Sequence, residues 1–302
     1  MSPYQKDPGG SFIQYAGHLL TCLLARSAVR PCTVSTKERF CPFHGKLTFF
    51  SSAGALVNLE RQVGNAYSMT DEQWQSDIRA AKDAHIDGFA LNIALQDEHT
   101  GDVVEKAYQA AQSVGGFSLF LSFDYASGGP WPANEVITTI NKYKDQPAQY
   151  RYQGKPMVST FEGGENSGDW PGIKSATGCF LIPAWTSMGT KGLASVHSTV
   201  DGFFSWNAWP VGAEDMSDLE DKSYVSTLTG KPYMMPVSPW FYTNLPQWDK
   251  NWLWRGDDLW HERWQQAIQL QPDLVEVSDR LFRFRLQTTT TLARLEPLCV
   301  AC

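Results

Sequence analysis

The chain lacks the marks of several large protein classes. Five of its six cysteines (Cys22, Cys32, Cys41, Cys299 and Cys302) sit at irregular spacing near the two ends, and the one CxxC spacing, Cys299–Cys302, has no second pair to complete a four-ligand site. That pattern supports neither a zinc or redox site nor a readable disulfide framework. Cys179 stands alone mid-chain, where a small buried apolar role suits it. The six histidines are scattered, and His261–Glu262 lacks the second histidine that a zinc helix needs. No metal and no cofactor is therefore expected. There is no GxSxG elbow, and "GGENSG" (163–168) is a flexible loop without the form of a phosphate cradle. Positive charge is scarce: the net charge is −7, which argues against nucleic acid or an anionic membrane as a partner. No apolar run is long enough to span a bilayer. "FIQYAGHLLTCLLARSAV" has the rough outline of a secretory leader, but Gly17 and His18 interrupt it and only Lys6 and Asp7 precede it. It is not a convincing signal peptide.

What is present is concentrated in the middle. Residues 63–277 carry 14 lysines and arginines against 27 acidic residues, while 1–62 and 278–302 are net positive. All twelve tryptophans lie between Trp74 and Trp264. This divides the chain into an irregular N-terminal segment (1–62), an acidic, aromatic-rich domain (63–277) and a divergent tail (278–302).

Within the domain, short apolar runs alternate with amphipathic stretches. Thr70 and Gln73 form a capping-box signature, after which Trp74, Ile78, Ala81 and His85 share a helical face. "DGFALNIAL" (87–95) then reads as a strand buried on both faces. The alternation continues through "GFSLFLSFDY" (116–125), "KPMVSTFEG" (155–163), "GCFLIPAW" (178–185), "VDGFFSWNAW" (200–209), "KPYMMPVSPWFY" (231–242) and "PDLVEV" (272–277). Seven strands separated by crossovers imply a parallel α/β sheet, and eight such units make a (β/α)8 TIM-type barrel. An open dinucleotide-binding sheet is disfavoured, because no glycine-rich loop follows the first clear strand. A barrel typically needs ~250 residues. The 215 of this region fall short by about one strand, with "ALVNL" (55–59) as a substitute first strand.

Chemistry in such barrels collects at the C-terminal ends of the strands. Those ends carry Asn92, Asp124 with Tyr125, Glu162, Trp185, Trp206 with Asn207 and Trp209, and Trp240 with Tyr242. Trp131 lies between two prolines in the loop after Asp124, and Asp257 sits among Trp252, Trp254, Trp260 and Trp264. Carboxylates, amides and large aromatics on one rim suit a sugar, whose C–H faces stack on rings and whose hydroxyls need fixed polar partners. Structural readings stand beside these. Asp124 and Glu162 could each organise a loop, Trp131 could pin one, and Trp260 and Trp264, four apart, could face the core.

The segments "VGNAYSMTDEQWQSDI", "DGFALNI", "FLSFDYASGGPWP", "KPMVSTFEG", "FFSWNAWP" and "KPYMMPVSPWFYTNLPQWDKNWLWRGDDLW" closely resemble glycoside hydrolase family 71, from about Val63 to Val277. The resemblance implies a fungal α-1,3-glucanase, or mutanase, with a (β/α)8 barrel. It would hydrolyse cell-wall α-1,3-glucan internally, with inversion, outside the cell or at its wall. It also implies an essential aspartate at Asp124 and a carboxylate pair in a TWNDYGES motif after the eighth strand. Here "SDRLFRFRL" follows Val277 instead, and Asp279 does not inherit the role. The family's first strand runs directly into the VGN motif, whereas "GALVNLERQ" precedes Val63 here. The resemblance therefore leads one to expect a barrel incomplete at its first and eighth strands. Asp124 and Glu162 remain as catalytic candidates, with Asn92, Tyr125, Trp131, Trp185, Trp206, Asn207, Trp209, Trp240, Tyr242 and Asp257 as substrate-binding ones.

Overall fold

The first helix shows how local sequence sets the architecture. Gln73 N–H donates to Thr70 Oγ1 at 3.3 Å and Thr70 N–H to Gln73 Oε1 at 2.9 Å, closing the capping box that starts α1 (Asp71–Asp83). Trp74, Ile78 and Ala81 then fall on the buried face. His85 does not share it. The helix has ended before it, and His85 is exposed in left-handed backbone at φ 61°.

A computed structural model describes the backbone of residues 56–62, 66–212, 214–238, 241–245, 250–254 and 256–277, with side chains over 66–212, 214–238 and 258–277. The expectations for the outer parts of the chain, and for Trp240, lie outside the described residues. The parallel strands among the described residues are β1 (Leu56–Gln62), β2 (Gly88–Ala94), β3 (Ser118–Asp124), β4 (Lys155–Phe161), β5 (Phe180–Leu181), β6 (Phe203–Phe204), β7 (Tyr233–Val237) and β8 (Leu274–Val277), with Arg151–Tyr152 added antiparallel to the start of β4. Between them come α1, α2 (Thr100–Val114), α3 (Ala133–Tyr143), α4 (Trp170–Thr177), α5 (Gly189–Ser195), α6 (Leu219–Thr227) and α7 (Gly256–Leu270). One helix thus separates each parallel strand from the next. An antiparallel hairpin, Phe241–Leu245 with Lys250–Trp254, is inserted before α7.

The eight strands pair in parallel in the order β5-β4-β3-β2-β1-β8-β7-β6. The first and eighth strands, where a gap was expected, are paired: Leu56 to Leu59 face Leu274 to Val277. β1 also starts ahead of residue 63, because the "ALVNL" stretch supplies it. The irregularity lies instead between β5 and β6. Gly202 N–H donates to Leu181 O at 3.1 Å and Phe204 N–H to Pro183 O at 3.2 Å. The return bond of a parallel ladder would come from residue 183, and proline has no N–H to give.

Two apolar clusters separate the faces of this sheet. One joins strand residues such as Phe89, Leu91, Leu121 and Val158 to Trp74, Val104, Ile140 and Tyr224 of the helices. The other holds Ala90, Phe120, Met157, Phe180, Ile182, Phe204, Met234 and Leu274, all from the strand segments and none from a helix. Helices therefore cover one face only, and the other face packs on itself. Apolar residues at both parities explain why the strands read as continuous apolar runs. Cys179 is buried and free, its thiol pushed up to about 11 by burial. Among the described residues, no helix is long and apolar enough to cross a membrane.

Candidate functional site

Asp124 is the last residue of β3, in register with Ala94 at the end of β2 and Phe161 at the end of β4. Its Oδ1 accepts the backbone N–H groups of Ala126 and Ser127 at 2.8 and 2.9 Å, which fixes the start of the following loop. Among the described residues Oδ2 has no hydrogen-bond partner. Burial, at 9% exposure, raises the carboxyl above the usual aspartate range, and the two backbone bonds offset only part of that. The loop then presses on its neighbour. Gly128 takes φ 82°, and a Cβ there would lie 2.1 Å from Leu95 O, so only glycine fits. Asn92 is buried two residues before the end of β2, in register with Ser122. Asn92 and Asp124 share strand parity with Ala90 and Phe120, which places both on the self-packed face.

Glu162 follows Phe161 in left-handed backbone at φ 54°, with Gly163 at φ 93° behind it. Its carboxylate is heavily engaged. Oε1 accepts Thr186 Oγ1 at 2.5 Å, Oε2 accepts Ser187 Oγ at 2.6 Å, and Ser187 N–H reaches both oxygens at 3.3 Å. It therefore ties the loop after β5 to the end of β4.

Three of the expected aromatics are placed elsewhere. Tyr125, Trp131 and Trp185 belong to the cluster between sheet and helices, not to the self-packed face. Tyr125 lies so close to Gly163 that a Cβ there would meet its ring at 2.5 Å. Trp131 donates its indole N–H to Asp124 O at 3.2 Å and packs edge-on against Phe123. Trp185 is fully buried. The cause is strand parity: Tyr125 and Trp185 follow inward residues, so their side chains emerge on the helix side.

The opposite side of the rim is built from the ends of β6 and β7. Trp206 takes φ 58°, and its ring packs against Phe161 at 4.7 Å and Phe204 at 5.2 Å. Its indole N–H is buried without a hydrogen-bond partner among the described residues. Asn207 and Trp209 are half-buried, and Trp209 packs on Met216 and Leu259. Tyr242 lies in the hairpin and Asp257 in α7, both at positions whose side chains are outside the description. Trp260 and Trp264 pack together edge-on at 5.4 Å against the main cluster.

A buried polar network under this side was not anticipated. Arg263 of α7 and Asp221 of α6 are both 0% exposed and paired at 2.9 Å. Arg263 also donates to Asn207 O at 3.1 Å, Pro236 O at 2.7 Å and Gln266 Oε1 at 2.7 Å. Tyr233 OH lies 2.6 Å from Asp221 Oδ1 and 2.7 Å from Ser205 Oγ. Burial, reinforced by Asp221, lifts that phenol well above its ordinary range. The available signal was positional. Arg263 shares a stripe with buried Leu259 and Ala267, and Asp221 one with buried Tyr224 and Leu228. Glu276 of β8, 2% exposed, is likewise a buried carboxylate inside what reads as an apolar strand. Among the described residues no group of three or more histidine, cysteine or acidic side chains could hold a metal ion.

Comparison with known proteins matches residues 55–278 to the sequence profile of glycosyl hydrolase family 71. The chain is 38% identical over 250 residues to a glucan endo-1,3-alpha-glucosidase of Schizosaccharomyces pombe, covering 76% of this chain and 58% of that protein. It is 36% identical over 214 residues to a mutanase of Penicillium rubens, covering 68% and 47%. It thus spans about half the length of the curated relatives it matches. Among solved structures, a GH99 endo-alpha-mannosidase from Bacteroides thetaiotaomicron superposes with a TM-score of 0.59 at 16% identity, covering 72% of this chain and 71% of that one. At that identity the likeness concerns the fold alone.

Proposed function

Since the chain belongs to glycosyl hydrolase family 71, we propose that it is an endo-acting glycosidase for the α-1,3-glucan of cell walls, working at or outside the wall. We infer also that its eight strands close into a (β/α)8 barrel with glucan bound across the C-terminal mouth. The registers support closure. Stepping from Asn58 to successive neighbours, by straight extension of each pairing, passes Gly88, Ser118, Lys155, Gly178, Ser198, Leu228 and Ile268 and returns to β1 eight positions earlier. A stagger of eight over eight strands is that of TIM barrels.

Asp124 carries the functional reading. It ends a strand within the "SFDY" segment, one oxygen is free of described partners, and burial favours its protonated form. A carboxyl whose affinity for its proton is raised by burial is suited to deliver that proton to the departing glucosidic oxygen. Asn92, Trp206, Asn207 and Trp209 would line the mouth, with Glu162 ordering the loop beside it.

An inverting glycosidase also needs a base ~6.5–9.5 Å from the acid, with water between them. The family resemblance locates that carboxylate pair after the eighth strand, where this chain runs "SDRLFRFRL". Both oxygens of Glu162 are already engaged, which favours a second reading: a glucan-binding protein with little or no turnover. We expect hydrolysis roughly a hundredfold or more below that of an intact relative, the scale of a lost acid–base group.

The test assays reducing-sugar release and retention on insoluble α-1,3-glucan for three proteins: this chain, a version with TWNDYGES grafted after Val277, and that grafted version carrying Asp124→Asn. Turnover restored by the graft and abolished again by Asp124→Asn supports the enzyme reading. Retention without turnover in all three supports the binding reading. Neither retention nor turnover sinks both.

A further inference from the structure

We propose that Arg263 and Asp221 form a buried clamp that positions the Trp206–Asn207 backbone at the mouth of the sheet. The proposal concerns positioning residues and no contact with substrate. Its basis is a chain of hydrogen bonds that begins and ends on Asn207. Asn207 N–H donates to Ser205 Oγ at 3.3 Å. The Tyr233 hydroxyl has one proton and two neighbours, and the carboxylate at 2.6 Å is the stronger acceptor. Ser205 therefore donates to the Tyr233 oxygen across 2.7 Å, and Tyr233 donates to Asp221. Asp221 receives both guanidinium nitrogens of Arg263, at 2.9 and 3.2 Å. Arg263 closes the circuit by donating to Asn207 O at 3.1 Å, and holds the end of β7 through Pro236 O at 2.7 Å.

Two further facts give the circuit a positioning role. Trp206, enclosed between Ser205 and Asn207, sits at φ 58°, a conformation that a bulky side chain avoids unless its surroundings enforce it. β6 is only two residues long, so the ladder stops short of Trp206. The clamp supplies the restraint that the ladder does not. Burial alone would be weak support for a stabilising role, because a well-packed apolar pair often replaces a buried ion pair without loss.

That last point makes the proposal testable in the full chain. The double variant Arg263→Met/Asp221→Leu removes the charges together, and Arg263→Lys keeps the charge but loses the fork that reaches both carbonyls. Amide hydrogen exchange over 205–209, read without sugar, decides the clamp. We expect about tenfold faster exchange there in both variants, the scale of a lost charge-assisted hydrogen bond, while α1 and β3 remain protected as in the native chain. Native-like exchange at 205–209 in either folded variant would overturn the proposal. Glucan retention is the second measurement, and this part rests on the function proposed above. Weakened retention alongside faster exchange ties the clamp to the glucan site. Faster exchange with native retention would mean that the clamped backbone lies outside that site. Failure of the native chain to bind glucan would count against the proposed substrate alone, leaving exchange to decide the clamp.

Discussion

The β1–β4 side of the sheet and the β5–β7 side are held together by different means. On the first, β2 pairs with β3 over seven residues and with β1 over five, so the backbone ladder carries the structure. On the second, β5 and β6 have two residues each, each makes two ladder pairs with its outer neighbour, and the seam between them lacks the bond that Pro183 cannot give. Side chains take over there. Asp201 accepts Leu181 N–H and Lys174 Nζ, both at 2.9 Å, Ser159 Oγ donates to Ile182 O at 2.7 Å, and Lys231 donates to Val200 O. Arg263 does the same at the upper end of this side. Charges placed inside a fold are thus a response to short strands, and they make that side the one where single substitutions are felt most.

The largest effect should follow from Arg263→Met alone. It leaves Asp221 buried and without its cation, a change that typically costs ~3–5 kcal/mol. Urea denaturation should register it as a lower midpoint. A loss under ~1 kcal/mol would mean that the pair is solvated in solution and that the contrast between the two sides is overstated.

Asp201→Asn should be intermediate. The pair with Lys174 is about a fifth exposed, so part of its strength is shared with solvent. The amide can still accept from Leu181 N–H, but it loses the charge that strengthens both bonds. A cost of ~1–2 kcal/mol is expected from a weakened charge-assisted contact. Exchange should speed up first at Leu181 and Gly202, the amides of the seam, and an increase confined to β2 and β3 would contradict this.

How much of this could be read beforehand differs by level. Helix faces were legible because spacing alone sets them, as with Trp74, Ile78 and Ala81. Strands buried on both faces were legible as apolar runs. β1 was harder, since "LVNLERQ" mixes charged and apolar residues in a pattern that belongs to no simple element. The site was read at the level of strand ends but not of faces. Asp124 and Tyr125 are consecutive, and a strand sends consecutive side chains in opposite directions, so both could not enter one mouth. The left-handed turns at Glu162 and Trp206 leave no trace in composition. Arg263 and Asp221 were hidden by the habit of assigning charges to solvent, although each occupies an apolar stripe.

On the ladder side, Thr70→Ala removes a cap from α1 and should cost ~1 kcal/mol. Loss of protection should stay within the first turn of that helix. A cost as large as that of Arg263→Met would remove the distinction between the two sides.

The smallest effect, and the only one expected to stabilise, is that of Asp124→Asn. Burial raises the carboxyl of Asp124 in the folded protein, so folding favours the protonated group. That contribution is fully present below the unfolded value and is lost as pH rises through the folded one. At neutral pH the buried carboxylate therefore works against the fold. Asparagine keeps an oxygen for Ala126 N–H and Ser127 N–H, so the loop retains both bonds, while the charge is gone. The variant should melt slightly above the native chain at neutral pH, and the gain should shrink on acidification and vanish below the ordinary aspartate range. A gain that is equal at all pH values would reflect packing and not charge. A loss at neutral pH would mean that a cation near the free oxygen stabilises the carboxylate, and the assignment of Asp124 as the proton donor would go with it.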